Sequence, residues 1–311
     1  MILNGKIVTV FGGSGFIGKY VVRELALAGY TIKVVSRNPE DAKVLRPEGF
    51  VGQIVPVKGN LRDSERLAEL VEGSYAVVNL VGVLYQSGRQ KFDALHAQGA
   101  ERLAKAAKEM DVKKFVHISA IVDPESKSKY AKSKINGEKA VMAAFPEAYI
   151  MKPSVVFGPE DNFFNFFARL SSLVPFLPLI GGGKTKMQPV YVGDIGTAVK
   201  KVVDEEFKAG AYQLGGPEVL TFKEILQRVL EYTGRKRLLL NLPFTAARFG
   251  ALFSPNFILT ADQVKLLKHD NIVTSRTKTL SELEIQPTAI DSVVPKYLAR
   301  FQRNVPKLLE E

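Results

Sequence analysis

The chain has 311 residues, yet it contains no cysteine and only three histidines, His96, His117 and His269. Without cysteine there can be no disulfide bond, no thiolate catalysis and no cysteine-bound iron–sulfur cluster. The histidines are scattered along the chain and lack the spacing of metal ligands. No apolar run reaches the roughly 18 residues expected of a membrane-spanning helix. These absences predict a cytoplasmic protein that carries no redox metal of its own.

The most informative segment is residues 6–18, where an apolar run typical of a β-strand ends in three spaced glycines and an amphipathic helix follows. Gly12 permits a tight turn, Gly15 lets the backbone approach a pyrophosphate, and Gly18 lets the helix pack close to the strand. The N-terminus of the helix offers free N–H groups and a positive dipole end to phosphates. The segment therefore predicts the phosphate-binding turn of a dinucleotide-binding βαβ unit, with an ordinary glycine-rich turn as the alternative.

The second apolar run, residues 31–36, indicates which dinucleotide is preferred. Enzymes that prefer NAD usually place Asp or Glu about 20 residues after the glycines, where it binds the ribose 2′-hydroxyl. This chain has Ser36, Arg37 and Asn38 there, which suit a 2′-phosphate and include no carboxylate that would repel it. We therefore predict NADP(H), although Arg37 could also be a solvated surface charge.

Strand-like runs alternate with helical patterns as far as residue 160, and repeated βα units imply a parallel sheet covered on both faces. Beyond residue 160, short strands alternate with helices and with turns rich in proline and glycine. We expect an α/β protein with a Rossmann-type doubly wound parallel sheet: an NADP(H)-binding domain at 1–160, and a smaller C-terminal α/β lobe at 161–311. The lobe would be interleaved with the last sheet strands and would dock a partner or a membrane. Further strands are predicted at 53–58, 76–82, 113–119, 148–152, 188–192, 211–214 and 237–242, and helices at 63–72, 91–110 and 128–144.

Tyr130 and Lys134 open one of these helices, and their four-residue spacing puts both side chains on one helix face. A lysine ammonium beside a phenol favours the phenolate, so the pair can act as general acid and base toward a carbonyl or hydroxyl. The same lysine can hold the ribose of a cofactor. The alternative is a lysine-rich helix start with a half-buried tyrosine.

Five motifs occur along the chain in the order expected of one superfamily. They are Gly12-x-x-Gly15-x-x-Gly18, Gly59-Asn-Leu-Arg-Asp63, Asn79-Leu-Val-Gly82, Tyr130-x-x-x-Lys134 and Lys152-Pro-Ser-Val-Val-Phe-Gly-Pro159. In this combination the chain resembles the extended, atypical short-chain dehydrogenase/reductase superfamily.

The resemblance implies a position for each part of the cofactor. Asn60 and Leu61 would border the adenine, and Val81 and Gly82 would line the middle of the cofactor. The segment Pro153–Val156 would border the nicotinamide. The implied cofactor-binding residues are Gly12, Ser14, Gly15, Phe16, Ile17, Gly18, Ser36, Arg37, Asn60, Leu61, Val81, Gly82, Ser119, Tyr130, Lys134, Pro153 and Val156, with Tyr130 and Lys134 as the catalytic, or vestigial, pair.

Two departures from the superfamily pattern bear on activity. Asn60 replaces an acidic residue, a mild change that keeps a hydrogen-bonding side chain. Ala120 and Ile121 occupy the positions where active members commonly carry a catalytic Ser or Thr, so only Ser119 could supply that hydroxyl. The resemblance therefore implies a chain that binds NADPH without turning it over.

A narrower resemblance extends over nearly the whole chain. Segments 145–154, 184–192, 259–264 and 280–288 resemble the family of NADPH-binding accessory subunits of respiratory complex I, of the alpha-subcomplex subunit nine type. This resemblance implies a non-catalytic subunit in which tightly held NADPH supports assembly and stability. Its partners would be the peripheral-arm and quinone-site subunits, close to the membrane.

The first predicted strand begins within a few residues of Met1, which leaves no room for a signal or transit peptide. We therefore expect a bacterial member of the family, bound peripherally on the cytoplasmic side of the inner membrane. Two alternatives stay open: an active NADPH-dependent reductase or epimerase, which the Tyr130–Lys134 pair favours, and an NADPH sensor that binds regulatory partners.

A formal net charge of +11 calls for a partner or surface that tolerates it. The basic residues are dispersed and no nucleic-acid recognition module is evident, so we expect no nucleic-acid partner. An anionic membrane surface or an acidic protein partner fits better, and simple solubility is the alternative.

Two apolar segments lie outside the predicted sheet. Phenylalanines and a leucine at helical spacing over residues 163–170 predict a core stripe, with a pocket wall above the nicotinamide or a subunit contact as alternatives. Residues 238–259 are interrupted by prolines and by Arg248, so they should not span a bilayer. A helix over 244–253 would bring Phe249, Leu252 and Phe253 together, either on the membrane interface or a membrane-arm subunit, or on the protein's own lobe.

Overall fold

The computed structural model describes residues 3–88, 90–247, 260–275 and 277–302. By internal contacts the chain divides into two compact units. The first unit comprises Met1–Pro153, Val192–Leu214 and Thr274–Gln286, and the second comprises Ser154–Tyr191, Gly215–Val273 and Pro287–Glu311.

In chain order the described strands are β1 (Ile7–Phe11), β2 (Thr31–Ser36), β3 (Ile54–Lys58), β4 (Ala76–Asn79), β5 (Lys114–Ile118), β6 (Tyr149–Pro153), β7 (Val156–Phe157), β8 (Phe176–Ile180), β9 (Lys186–Met187), β10 (Val190–Tyr191), β11 (Gly210–Leu214), β12 (Leu220–Thr221) and β13 (Leu238–Leu242). The described helices are α1 (Phe16–Leu27), α2 (Glu40–Lys43), α3 (Leu67–Val71), α4 (Ala100–Glu109), α5 (Lys129–Ala144), α6 (Phe164–Leu173), α7 (Val192–Asp204), α8 (Phe222–Tyr232), α9 (Ala261–Leu266) and α10 (Ile290–Leu298). A π-helical segment, Asp93–Gly99, leads directly into α4.

The first unit is built on a seven-stranded sheet in the order β11-β6-β5-β4-β1-β2-β3. Every neighbouring pair in it is parallel. The chain proceeds outward from β1 on one side through β2 and β3, and on the other side through β4, β5, β6 and β11. The strand order therefore reverses between β1 and β4, the point where open α/β sheets bind ligands beyond the carboxyl ends of their strands.

Helices cover both faces of this sheet because strand side chains alternate between the faces. On one face, the side chains of Val10, Val34 and Val22 of α1 all lie next to Gly13. On the other face, strand residues such as Phe11 and Phe115 join residues of α3, α4 and α5 in one buried cluster. The predicted Rossmann-type, doubly wound α/β fold is therefore confirmed for this unit.

The predicted strands fall close to the observed ones, and three differences from the predictions are informative. The run predicted at 76–82 stops as a strand at Asn79, whose side chain accepts a hydrogen bond from the Val81 N–H instead of continuing the ladder. The helix predicted at 91–110 is π-helical over its first part and becomes α-helical only at Ala100. The continuous part of the first unit ends at Pro153, whereas the sequence placed a boundary at residue 160.

The second unit contains three two-stranded sheets, which pair β7 with β10, β8 with β13 and β9 with β12. Its core packs α6, α8 and α10 around buried phenylalanines that include Phe157, Phe164 and Phe222. The stripe predicted over 163–170 belongs to this core: Phe167 is fully buried, and Phe163, Phe166 and Leu170 pack against it. The core interpretation of the stripe is therefore the correct one.

In the parts of the chain that the structure describes, no helix is both long enough and apolar enough to cross a membrane. The helix predicted over 244–253, with Arg248, Phe249, Leu252 and Phe253, falls largely on residues 248–259, which lie outside the described residues.

Candidate functional site

The glycine turn between β1 and α1 has the geometry that its spacing predicted. Gly12 has a positive φ of 80°, and a Cβ there would lie 3.3 Å from the backbone of Leu80 and Val81. A Cβ on Gly18 would lie 2.5 Å from the carbonyl oxygens of Gly12 and Gly13, so only glycine lets α1 sit this close to the turn. The result is a tight backbone cradle at the start of a twelve-residue helix.

The start of α1 is suited to an anion. Its N-cap is Gly15, which offers no side chain to the first-turn N–H groups, and no acidic residue lies in the first turn. Ser14, Phe16 and Ile17 flank this cap, and each is partly exposed. The backbone donors and the positive end of the helix dipole would stabilise a pyrophosphate.

At the neighbouring edge, β2 and β3 end side by side. The Gly59 N–H donates to the Ser36 carbonyl oxygen (3.0 Å), which keeps the two following loops together. Arg37 is exposed there, and the Ser36 hydroxyl donates to the Asn38 carbonyl oxygen (2.6 Å). A cation on this edge is compatible with a 2′-phosphate.

The residues predicted at the adenine differ in what they can offer. The Asn60 side chain accepts a hydrogen bond from the Arg62 N–H (3.1 Å) and thereby shapes the loop. The Leu61 side chain is 2% exposed and belongs to the core, so only its backbone can border a ligand. The Arg102 guanidinium donates to the Leu61 carbonyl oxygen (3.3 Å) and fixes that backbone.

The segment after β4, which includes Val81 and Gly82, is held by two buried histidines. The Asn79 amide accepts from the Val81 N–H (3.1 Å), and its amide nitrogen lies 3.2 Å from Nδ1 of His117. Nε2 of His96 accepts from the Val83 N–H (3.0 Å). Because both imidazoles act as acceptors toward this segment, each must be neutral at the accepting nitrogen.

His96 is tied to the helix that carries Tyr130. Its Nδ1 lies 2.9 Å from the Ser133 hydroxyl, which donates to the Tyr130 carbonyl oxygen (2.7 Å). Burial, with a smaller contribution from the charge of Lys134, lowers the pKa of His96 to about 3, and the same causes lower the pKa of His117 to about 3. Both rings are therefore uncharged at neutral pH and act as buried hydrogen-bond acceptors for residues 79–83.

Tyr130 and Lys134 lie on α5, which begins where the Ser128 hydroxyl accepts from the Ala131 N–H (3.2 Å). Lys134 is 5% exposed, and its ammonium donates to the Ile118 carbonyl oxygen (3.2 Å) at the end of β5. A Cβ on Gly82 would lie 3.4 Å from this ammonium, so glycine leaves room beside it.

The expectation that Lys134 favours the phenolate of Tyr130 is wrong for this structure. The ammonium lies 5.9 Å from the centroid of the phenol ring, over its face. Burial dominates both groups: it raises the pKa of Tyr130 to about 12 and lowers the pKa of Lys134 to about 8. The tyrosine is consequently a neutral hydrogen-bond donor, packed edge-on against Phe92 and His96.

Ser119 is buried and its hydroxyl is already engaged. It donates to one carboxylate oxygen of Glu138 (2.5 Å), while the Lys152 ammonium contacts the other (2.8 Å). Ala120 is partly buried and Ile121 is buried, and neither has a side-chain donor. The hydroxyl that could orient a substrate carbonyl therefore points into an ion pair.

The remaining predicted residues, Pro153 and Val156, fall in different units. Pro153 ends β6 in the first unit, where its carbonyl oxygen accepts from the Ile121 N–H (2.9 Å). Val156 lies in the second unit, on β7, and pairs in register with Val190 of β10.

Sequence reasoning assigned no role in this site to four residues: His96, His117, Glu138 and Lys152. The histidines were considered only as metal ligands, and within the described ranges no group of three or more potential ligands could hold a metal ion. Glu138 follows Lys134 by four residues, so helical spacing alone could have placed it on the same face.

Comparison with known proteins shows the family to which the chain belongs. Residues 8–215 match the model of the NAD dependent epimerase/dehydratase family. Among solved structures, the chain is similar to a crystal structure of the NADPH-dependent quinone oxidoreductase QOR2 of Escherichia coli in complex with NADPH. The TM-score is 0.74 at 19% identity, covering 94% of this chain and 99% of that one.

Similarity to curated proteins extends over nearly the whole chain. The NADH-ubiquinone oxidoreductase 40 kDa subunit, mitochondrial, of Neurospora crassa is 31% identical over 310 residues, which cover 97% of this chain and 81% of that protein. The NADH dehydrogenase [ubiquinone] 1 alpha subcomplex subunit 9, mitochondrial, of Arabidopsis thaliana is 31% identical over 322 residues, covering 98% and 80% respectively.

The neutral histidines predict a steep loss of stability in acid. Their folded-state pKa of about 3 lies below the ordinary value of 6.5, so the unfolded chain binds their protons first. The contribution of these histidines to the free energy of unfolding should therefore be fully present above about pH 6.5. It should fall by about 1.4 kcal/mol per pH unit for each histidine as the pH drops toward 3.

Comparison of unfolding free energies isolates one histidine from the carboxylates that also titrate. Urea unfolding of wild type and His117→Asn at about pH 7, 5.5 and 4.5 should show a shallower pH dependence in the variant, by about one proton. Parallel slopes for wild type and His117→Asn would contradict the assignment.

Proposed function

Because the chain belongs to the NAD dependent epimerase/dehydratase family, we propose that its first unit binds a dinucleotide and that this dinucleotide is NADP(H). The glycine turn supports the proposal, since Gly12 and Gly18 leave a cradle that a Cβ would fill. The backbone at the start of α1 would hold the pyrophosphate, and Arg37 would hold the 2′-phosphate. Lys134 would hold the hydroxyls of the nicotinamide ribose.

We infer that the chain is an accessory subunit of respiratory complex I. The observation that carries this inference is the extent of the similarity. The family match ends at residue 215, whereas the similarity to the two subunits of NADH:ubiquinone oxidoreductase covers 97% and 98% of the chain. Those relatives therefore share the parts of the second unit that cofactor chemistry alone does not require.

In this proposal the cofactor has a structural role. Bound NADPH can supply a hydride, but the residues that would direct it to a substrate are absent or engaged: Ala120 and Ile121 carry no hydroxyl, and Ser119 donates to Glu138. A ligand that binds only the folded chain stabilises it by mass action. The subunit would support assembly and stability near the quinone site, bound peripherally at the membrane.

Active NADPH-dependent reduction or epimerisation is the second candidate, because the Tyr130–Lys134 pair is intact on α5. Tyr130→Phe separates the two functions. The substitution removes the phenolic hydroxyl, which is the proton donor of the pair. It would therefore abolish turnover in an enzyme and leave a structural subunit nearly unchanged.

Affinity purification of the tagged chain from mildly solubilised membranes tests the subunit proposal. We expect the iron–sulfur and quinone-site subunits of complex I in stable proportion with wild type and with Tyr130→Phe. Gly15→Glu places a carboxylate in the phosphate cradle and should lower the recovery of these subunits. A lone soluble protein that carries NADPH would contradict the subunit role and direct attention to carbonyl substrates.

Cofactor preference depends on Arg37 in this proposal. Arg37→Ala should weaken NADPH binding by about tenfold or more, since a charge-assisted contact to the 2′-phosphate is lost, and should leave NADH binding unchanged. Titration of both nucleotides by fluorescence measures the difference. Lys43→Ala, which removes another exposed cation of the same region, is the control. Equal weakening of NADPH and NADH would show that Arg37 does not read the 2′-phosphate.

We also propose that the second unit contacts an anionic membrane surface. Its apolar side chains at Leu173 (74% exposed), Phe176 (44%), Leu238 (69%) and Leu240 (46%) are accessible, and Phe176 and Leu238 are register partners in the β8–β13 pair. Three consecutive cations, Arg235 to Arg237, directly precede β13 and line a surface cavity of about 240 Å³. Exposed apolar groups beside cations suit lipid headgroups.

Vesicle sedimentation tests the membrane contact. Wild type should bind vesicles rich in phosphatidylglycerol, lose binding as salt rises, and ignore phosphatidylcholine vesicles. A triple variant, Lys236→Ser with Leu238→Ser and Leu240→Ser, should bind several-fold less. Phe50→Ser with Val51→Ser removes comparable exposed apolar groups from the first unit (52% and 107% exposed) and is the matched control. Equal binding by both variants would place the contact elsewhere.

A further inference from the structure

One buried carboxylate organises the end of the sheet beside the proposed cofactor site. Glu138 lies on α5, one turn after Lys134, and its side chain is 15% exposed. One carboxylate oxygen accepts from the Ser119 hydroxyl (2.5 Å), and the other contacts the ammonium of Lys152 (2.8 Å), itself 16% exposed. A single side chain thereby joins α5 to Ser119, the residue after β5, and to Lys152 of β6.

These contacts converge on the carbonyl group that holds Lys134. The Lys134 ammonium donates to the Ile118 carbonyl oxygen, and Ser119, the next residue, is the one that Glu138 binds. The Ser119 N–H also donates to the Met151 carbonyl oxygen (2.7 Å), and Lys152 follows Met151. Movement of Glu138 would therefore displace the end of β5, including the Ile118 carbonyl oxygen that accepts the hydrogen bond from Lys134.

The titratable groups around Lys134 come from four elements. Tyr130 and Glu138 share its helix, His96 approaches from the π-helical segment, His117 from β5, and Lys152 from β6. Both histidines are neutral at physiological pH and Lys152 is a cation, so among these groups Glu138 provides the negative charge. Its carboxylate raises the pKa of Lys134, against the larger lowering that burial causes.

We propose that Glu138 is a positioning residue of the cofactor site, which fixes the end of β5 under Lys134 and keeps the Lys134 ammonium charged for the cofactor ribose. The same contact withdraws the Ser119 hydroxyl from any substrate carbonyl. One carboxylate thus favours retention of the cofactor over its turnover. The assignment rests on the proposed NADP(H) site.

The test uses the full chain and two readouts, so that failure of the cofactor proposal can be told apart. Lysine labelled with ¹³C reports the titration of Lys134 by NMR in the free chain, with its signal identified by its loss in Lys134→Met. Fluorescence titration reports NADPH binding across the same pH range. If wild type binds no NADPH, the proposed cofactor site fails, and the Lys134 titration still judges Glu138.

Glu138→Gln should lower the midpoint of the Lys134 titration from about 8 by about one pH unit, and the lost charge should weaken NADPH binding about twofold at pH 7 and about tenfold at pH 9. Lys152→Met removes a cation and leaves Glu138 in place, so it should move the midpoint upward. Glu101→Gln, on the exposed Glu101–Lys105 pair of α4, should change neither readout.

An unmoved midpoint in Glu138→Gln, with only a loss of thermal stability, would overturn the assignment and leave Glu138 a structural ion-pair partner. If Glu138→Gln does not fold, Lys152→Met decides, because a downward or absent shift of the midpoint in that variant contradicts the proposal. Opposite shifts in the two variants support it, since damage to packing alone has no reason to change sign with the charge removed.

Discussion

The burial of one ammonium at the carboxyl end of the sheet constrains everything around it. Lys134 is almost inaccessible to water, and a buried cation is tolerated only when it is hydrogen-bonded and balanced by charge. The Ile118 carbonyl oxygen and the Glu138 carboxylate meet these requirements. The cation in turn helps to keep His96 and His117 neutral, so that their ring nitrogens can accept hydrogen bonds that hold residues 79–83. A charge on α5 thereby sets the backbone conformation after β4.

The glycine turn and the buried lysine are parts of the same edge. The strand order reverses between β1 and β4, and a Cβ on Gly12 would touch the backbone of Leu80 and Val81, which the Asn79 and histidine contacts hold in place. The glycine turn at the end of β1 and the Lys134 ammonium at the end of β5 therefore both lie beside residues 80–82. A backbone cradle and a cation on one edge are the two features that the proposed dinucleotide site requires.

Features that depend on local spacing were predictable from the sequence. The glycine turn, the strands up to β6 and the Tyr130–Lys134 face each follow from short-range periodicity and backbone sterics. The hydrogen-bond partners of the site were not predictable in this way. Whether the Ser119 hydroxyl faces a substrate or Glu138 depends on how β5, β6 and α5 pack, and the neutral state of His96 depends on burial between elements far apart in sequence. The Tyr130 phenol shows the same limit, because burial outweighed a neighbouring charge that sequence reasoning ranked first.

The path of the chain between the two units has a consequence for how the protein can be made. The ribosome completes residues 1–153 first, with every glycine of the turn and both members of the Tyr130–Lys134 pair, but α7 and β11 arrive only after an excursion into the second unit. Until then β6 lacks its neighbouring strand β11. In the same period α1 lacks α7, which packs so closely against it that Gly196 lies next to the Tyr20 carbonyl oxygen. No single cut in the gene separates the units. A fragment that ends near residue 160 would carry the nucleotide-binding signature together with an open strand edge and an uncovered helix face, which is the form in which a chain aggregates.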